Sequence, residues 1–102
     1  MVLLDFSITP LGEGESVGKY VARCVDIIDR SGLEYRLHAM GTTVEGDLDQ
    51  VLDLLKRCVE NMAPDCDRVS VSAKLDYRSG PAGRLDSKVA SVEKTLGRKL
   101  KH

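Results

Sequence analysis

From Val2 to Thr9 apolar and polar residues alternate, with Val2, Leu4, Phe6 and Ile8 on one side and Leu3, Asp5, Ser7 and Thr9 on the other. A period of two predicts a strand, and Pro10 ends it. Gly12-Glu-Gly14 reads as a loop and Ser16 as an N-cap. Val17, Tyr20, Val21, Cys24, Val25 and Ile28 then recur at helical spacing, so a helix is expected over 17–31, stopped by Ser31-Gly32. The period returns to two where Leu33, Tyr35, Leu37 and Ala39 alternate with Glu34, Arg36, His38 and Met40. Met40-Gly41 reads as a tight turn into a short third strand from Thr42 to Glu45.

Asp47 and Gln50 have the spacing of a capping box, and Leu48, Val51, Leu52, Leu55, Cys58, Val59 and Met62 form the apolar stripe of a second helix, closed by Pro64. Val69, Val71, Ala73, Leu75 and Tyr77 alternate with Ser70, Ser72, Lys74, Asp76 and Arg78 through a long fourth strand. After the loop Ser79-Gly-Pro-Ala-Gly83, Leu85, Val89, Val92, Leu96 and Leu100 mark a third helix. The order β-α-β-β-α-β predicts an α+β chain, a ferredoxin-like sandwich over residues 1–102 with an additional C-terminal helix.

The composition changes this picture little. With 102 residues, 42% hydrophobic and 30% charged, one domain with a modest core is expected, and association with further copies would cover more apolar area. Fifteen basic and sixteen acidic residues interleave to a net charge of −1, which speaks against a nucleic-acid partner. The basic tail Arg98-Lys-Leu-Lys-His102 reads as cations complementing a helix C-terminus. No apolar run is long enough for a membrane span and the N-terminus lacks a signal-peptide pattern, so a cytoplasmic protein is expected. Cys24, Cys58 and Cys66 form no C-x-x-C pair, and the first two fall on apolar helix stripes as small core residues.

If helices cover one sheet face, the other carries Leu3, Asp5, Ser7, Thr9, Arg36, His38, Met40, Thr43, Glu45, Ser70, Ser72, Lys74, Asp76 and Arg78. Such a surface suits a polar ligand or a wet subunit interface, although alternation alone also produces a solvated polar face. Catalytic signatures are missing. His102 is the last residue, His38 has no nucleophile motif beside it, and His38 and Glu45 are solitary as metal ligands, so no catalytic or metal site is expected. Leu11-Gly-Glu-Gly14 lacks the spacing of a phosphate loop, and the sheet face lacks the rings of an RNA-recognition module.

Ile8-Thr-Pro-Leu-Gly12, Ser16-Val-Gly-Lys-Tyr-Val-Ala22 and Met40-Gly-Thr-Thr-Val-Glu-Gly-Asp47 resemble the small thiamine-binding protein family, single-domain relatives of the YkoF-like proteins that bind the hydroxymethylpyrimidine part of thiamine. Arg68-Val69, Arg78 and Lys88-Val-Ala-Ser-Val-Glu93 spread the likeness over nearly the whole chain. The resemblance implies a ferredoxin-like, non-catalytic binder of thiamine or its pyrimidine that needs no cofactor. It also implies a homotetramer, a dimer of dimers whose sheets pair across subunits. Met40, Gly41, Thr42, Glu45 and Gly46 match its hairpin motif. Together with the open-face positions they make Ser7, Thr9, His38, Met40, Thr42, Thr43 and Glu45 the candidate ligand contacts.

An aminopyrimidine pairs a donor amine with ring-nitrogen acceptors, which hydroxyls and a carboxylate complement, and Glu45 or Asp5 would favour the cationic thiazolium. Thr42 and Glu45 face opposite sides of a regular strand, so Thr42 belongs to the turn, is re-aimed by a bulge, or is structural. A second reading is a regulatory or assembly module whose sheet pairing is its function. A third is an enzyme using His38 and Glu45 as acid and base.

Overall fold

A computed structural model describes residues 1–12, 17–80 and 82–102. Its elements are β1 (Val2–Leu11), α1 (Val17–Arg30), β2 (Glu34–His38), β3 (Gly41–Gly46), α2 (Leu48–Met62), β4 (Arg68–Tyr77) and α3 (Arg84–Leu96). The strands form one sheet in the order β2-β3-β1-β4, with every neighbouring pair antiparallel. This is the expected α+β ferredoxin-like sandwich with its extra C-terminal helix. No helix among the described residues is long and apolar enough to cross a membrane.

The core lies where α1 and α2 cover one sheet face. Val2, Leu4, Phe6 and Ile8 of β1 and Val44 of β3 meet Tyr20, Cys24 and Ile28 of α1 and Val51, Leu54, Cys58 and Met62 of α2, all buried. Removing apolar side chains of this size from water stabilises by roughly 1.5–3 kcal/mol each, so these strips fix the register of strands and helices together. On α2 the buried line runs 51-54-58-62, leaving Leu48 and Leu52 exposed at its margin, and Leu54 takes the place expected of Leu52. The thiol of Cys24 is pushed up by its hydrogen bond with Cys58 and by burial, in keeping with a packing role.

Pro10 does not end β1. It is buried and pairs with Val69, in a stretch where β1 has β4 on one side but has already parted from β3, whose last pair is Phe6 with Thr42. An edge position tolerates the missing N–H. The reading of Ser16 as N-cap and most of the Gly12–Gly14 loop lies outside the described residues. At the other end of α1, the Ser31 hydroxyl donates to the Ile28 carbonyl at 2.6 Å and Gly32 takes φ +80°, so the helix stops where expected. Gln50 Oε1 accepts the Asp47 N–H at 2.9 Å in the capping box of α2.

α3 is the element least absorbed by the core. None of its residues is buried, and Val92 and Leu96 are 40% and 47% exposed. The chain measures 47 Å along its longest axis with a radius of gyration of 15.2 Å. A compact domain of this length has a radius near 13 Å, so the molecule is elongated. α3 also ends earlier than its apolar stripe suggests: Gly97 is left-handed, and the Leu100 N–H returns to the Glu93 carboxylate at 2.6 Å. The basic tail Arg98–His102 therefore follows the helix and does not form its last turn.

Candidate functional site

The pairing of β1, β2 and β3 assembles a polar cluster on the face that α1 and α2 leave open. Asp5 lies opposite Thr43, and Thr43 opposite Arg36, with His38 two residues along β2. The Thr43 hydroxyl donates to Asp5 Oδ1 at 2.9 Å. His38 Nε2 lies 3.1 Å from the same Asp5 oxygen and 3.3 Å from Thr43 Oγ1. A carboxylate is acceptor-only, so the tautomer that bonds Asp5 carries its proton on Nε2. The His38 and Asp5 side chains are 44% and 53% exposed, so both are open to an incoming molecule.

The β2–β3 turn is Ala39-Met40, one residue earlier than the expected Met40-Gly41, and it stands between two cavities. One of about 230 Å³ lies on the helix side, walled by Val21, Cys24 and Val25 of α1, by Phe6, Ile8 and Thr9 of β1, and by residues 37–42. The other, about 210 Å³, opens on the polar face among Asp5, Ser7, Met40, Ser72 and Lys74. Typical small-molecule clefts hold about 300–1,000 Å³, so each suits a single ring. Met40, 85% exposed, borders both.

Thr42 and Thr43 resolve onto opposite sides without a bulge. Thr42 pairs with Phe6, is buried, and lines the helix-side cavity; Thr43 joins the open-face cluster. Ser7 borders both cavities, while Thr9 reaches only the helix-side one. Glu45 is placed apart from the cluster. It is 4% exposed, and its two carboxylate oxygens accept the backbone N–H groups of Gly83 at 2.8 Å and Arg84 at 2.9 Å. It therefore caps the N-terminus of α3, where a helix dipole favours negative charge. The Arg84 guanidinium bonds Asp76, and Arg36 donates to both Asp86 oxygens, so α3 is fastened at its base to β2, β3 and β4. Direct contact of a ligand with the Glu45 carboxylate would require displacing these amides.

Asp5, Ser72 and Lys74 belong to the site although they were not among the seven candidate contacts. Alternation puts all three on the open face, but only the register Asp5–Thr43 and Asp5–Lys74 makes them neighbours of the hairpin.

A four-stranded sheet with α1 and α2 on one face and a polar, cavity-bearing opposite face defines a small ferredoxin-like α+β domain. The family model for thiamine-binding proteins matches residues 4–93. The chain belongs to the thiamine-binding protein family. A UPF0045 protein of Mycobacterium bovis is 42% identical over 96 residues, covering 93% of this chain and 94% of the relative. A UPF0045 protein of Synechocystis is 40% identical, covering 93% and 79%. Among solved structures, a Bacillus cereus domain of unknown function superposes with a TM-score of 0.77 at 32% identity, covering 86% of each chain.

Proposed function

We propose that this protein is a non-catalytic, cytoplasmic binder of thiamine or its hydroxymethylpyrimidine moiety that acts as a homo-oligomer. The observation that carries the reading is the Asp5–His38–Thr43 cluster beside two ring-sized cavities at the hairpin of a thiamine-binding family chain. A carboxylate next to a hydroxyl and an imidazole can accept a hydrogen bond from an exocyclic amine and donate one to a ring nitrogen. The same carboxylate favours the thiazolium charge.

Saturable binding is expected by calorimetry with thiamine and with the free pyrimidine. At a hundredfold excess over Kd, a ligand that binds only the folded state adds about 2.7 kcal/mol of stability, a readily visible thermal shift. Asp5→Asn keeps the shape but removes the charge, and is expected to weaken thiamine by about tenfold, the size of one charge-assisted hydrogen bond. Absence of heat and thermal shift with either ligand would refute the reading.

Assembly as a tetramer, a dimer of dimers, is the second part of the proposal. α3 leaves Val92 and Leu96 half exposed, and among the described residues β2 and β4 are the outer strands of the sheet. Copies covering these surfaces would supply what a domain of this size lacks. Light scattering at micromolar concentration is expected to give four times the chain mass of 11.2 kDa, and a monomer mass contradicts it.

A further inference from the structure

The β1/β4 half of the open face holds polar groups that the thiamine reading has not used. Register sets Asp5 opposite Lys74, Ser7 opposite Ser72 and Thr9 opposite Ser70, so consecutive rungs place an ammonium beside a two-by-two patch of hydroxyls. Paired side chains on such rungs have Cβ atoms about 4.5–5.5 Å apart, and the next rung lies about 7 Å along the strand. Ser7, Ser72 and Lys74 border the open-face cavity. Among the described residues, none of Ser7, Thr9, Ser70, Ser72 and Lys74 has a side-chain hydrogen bond or ion pair. By contrast, the neighbouring Asp5, Thr43 and His38 are bonded to one another, and Arg84 and Arg36 are tied to Asp76 and Asp86. The Lys74 cation and the Ser7 and Ser72 hydroxyls, all unspent and lining one cavity, are the complement of a phosphate monoester, which offers three strong acceptor oxygens and up to two negative charges.

We infer that the site takes a phosphorylated ligand, with the phosphate held by Lys74, Ser7 and Ser72 while the rings lie toward Thr43 and His38. This deepens the proposed function and rests on it. The placement also accounts for Asp5, which would repel a lone phosphate on the adjoining rung. In a thiamine phosphate the thiazolium cation stands between pyrimidine and phosphate. Laid across the strands from β4 to β2, a span of about 14 Å at about 4.8 Å per strand, the molecule presents phosphate to Lys74, its cation to Asp5 and its pyrimidine to Thr43 and His38.

The test compares thiamine, thiamine monophosphate and thiamine diphosphate by calorimetry in phosphate-free buffer, with the full chain, Lys74→Gln and Ser72→Ala. Both phosphorylated forms are expected to bind at least about tenfold more tightly than thiamine, the size of a charge-assisted contact. Lys74→Gln should erase that difference between the phosphorylated forms and thiamine, and Ser72→Ala should reduce it. The preference should also fall with added salt. If thiamine binds but its phosphates bind no tighter, or if the preference survives Lys74→Gln, the phosphate assignment is overturned and the proposed function stands. If no form binds, both fail.

Discussion

Glu45→Ala is expected to release α3 from the sheet and to lower stability by about 2 kcal/mol, a value typical of losing charge-assisted hydrogen bonds from a buried site. Two backbone donors, of Gly83 and Arg84, lose their acceptor at once. The cost has a ceiling, because α3 buries none of its own residues and can swing into water, where its first-turn amides find new partners. The loss should therefore be concentrated in one segment. Limited proteolysis should cut within residues 78–84 of the variant and spare the wild type, and amide exchange should rise across α3 while β1 and α2 keep their protection. The exposed Arg36–Asp86 pair is the weaker fastening, so Asp86→Asn should cost well under about 1 kcal/mol. Unchanged exchange in α3 of Glu45→Ala would mean that the carboxylate does not hold the helix.

That carboxylate also marks what the sequence could and could not disclose. The sandwich was legible because its signals are local: alternation in β1 and β4, the 3.6-residue stripes of α1 and α2, and the Asp47/Gln50 box each depend on residues a few positions apart. The faces of Thr43 and Glu45 follow from the same alternation. What Glu45 does there depends on Gly83 and Arg84, 38 and 39 positions away, joined to it by a fold that no spacing rule encodes.

The open-face cluster has the same origin. Asp5 and Thr43 are 38 residues apart in the chain, and a shift of one residue in the β1–β3 register would have put a core side chain in place of Asp5. Pro10 misled for a related reason: a proline stops a strand only where its N–H is needed, and that depends on which neighbour flanks β1 at Pro10.

Gly41→Ala is expected to lower stability by about 1–3 kcal/mol, the usual range for forcing extra volume into a packed site, and to weaken ligand binding with it. A Cβ at Gly41 would stand 2.6 Å from the Phe6 carbonyl oxygen, with His38 Cε1 at 3.6 Å. The obstacle is the backbone of β1 and not a side chain that could rotate away, so the hairpin must lift or β1 must move. Phe6–Thr42 is the last pair joining β1 to β3, and Gly41 follows directly on the turn residue Met40 that borders both cavities. A lifted hairpin therefore separates His38 from Asp5 and opens the walls around the ligand, coupling the stability loss to affinity.

Gly18→Ala provides the opposite case. Gly18 sits in α1 with nothing within 4 Å of an added Cβ, and alanine is favoured over glycine in a helix by about 1 kcal/mol, so that variant should be neutral or more stable. Urea denaturation of both variants, followed by thiamine titration, checks the pair. If Gly41→Ala matches the wild type in midpoint and affinity, the close approach of the hairpin to β1 is not what positions His38 against Asp5.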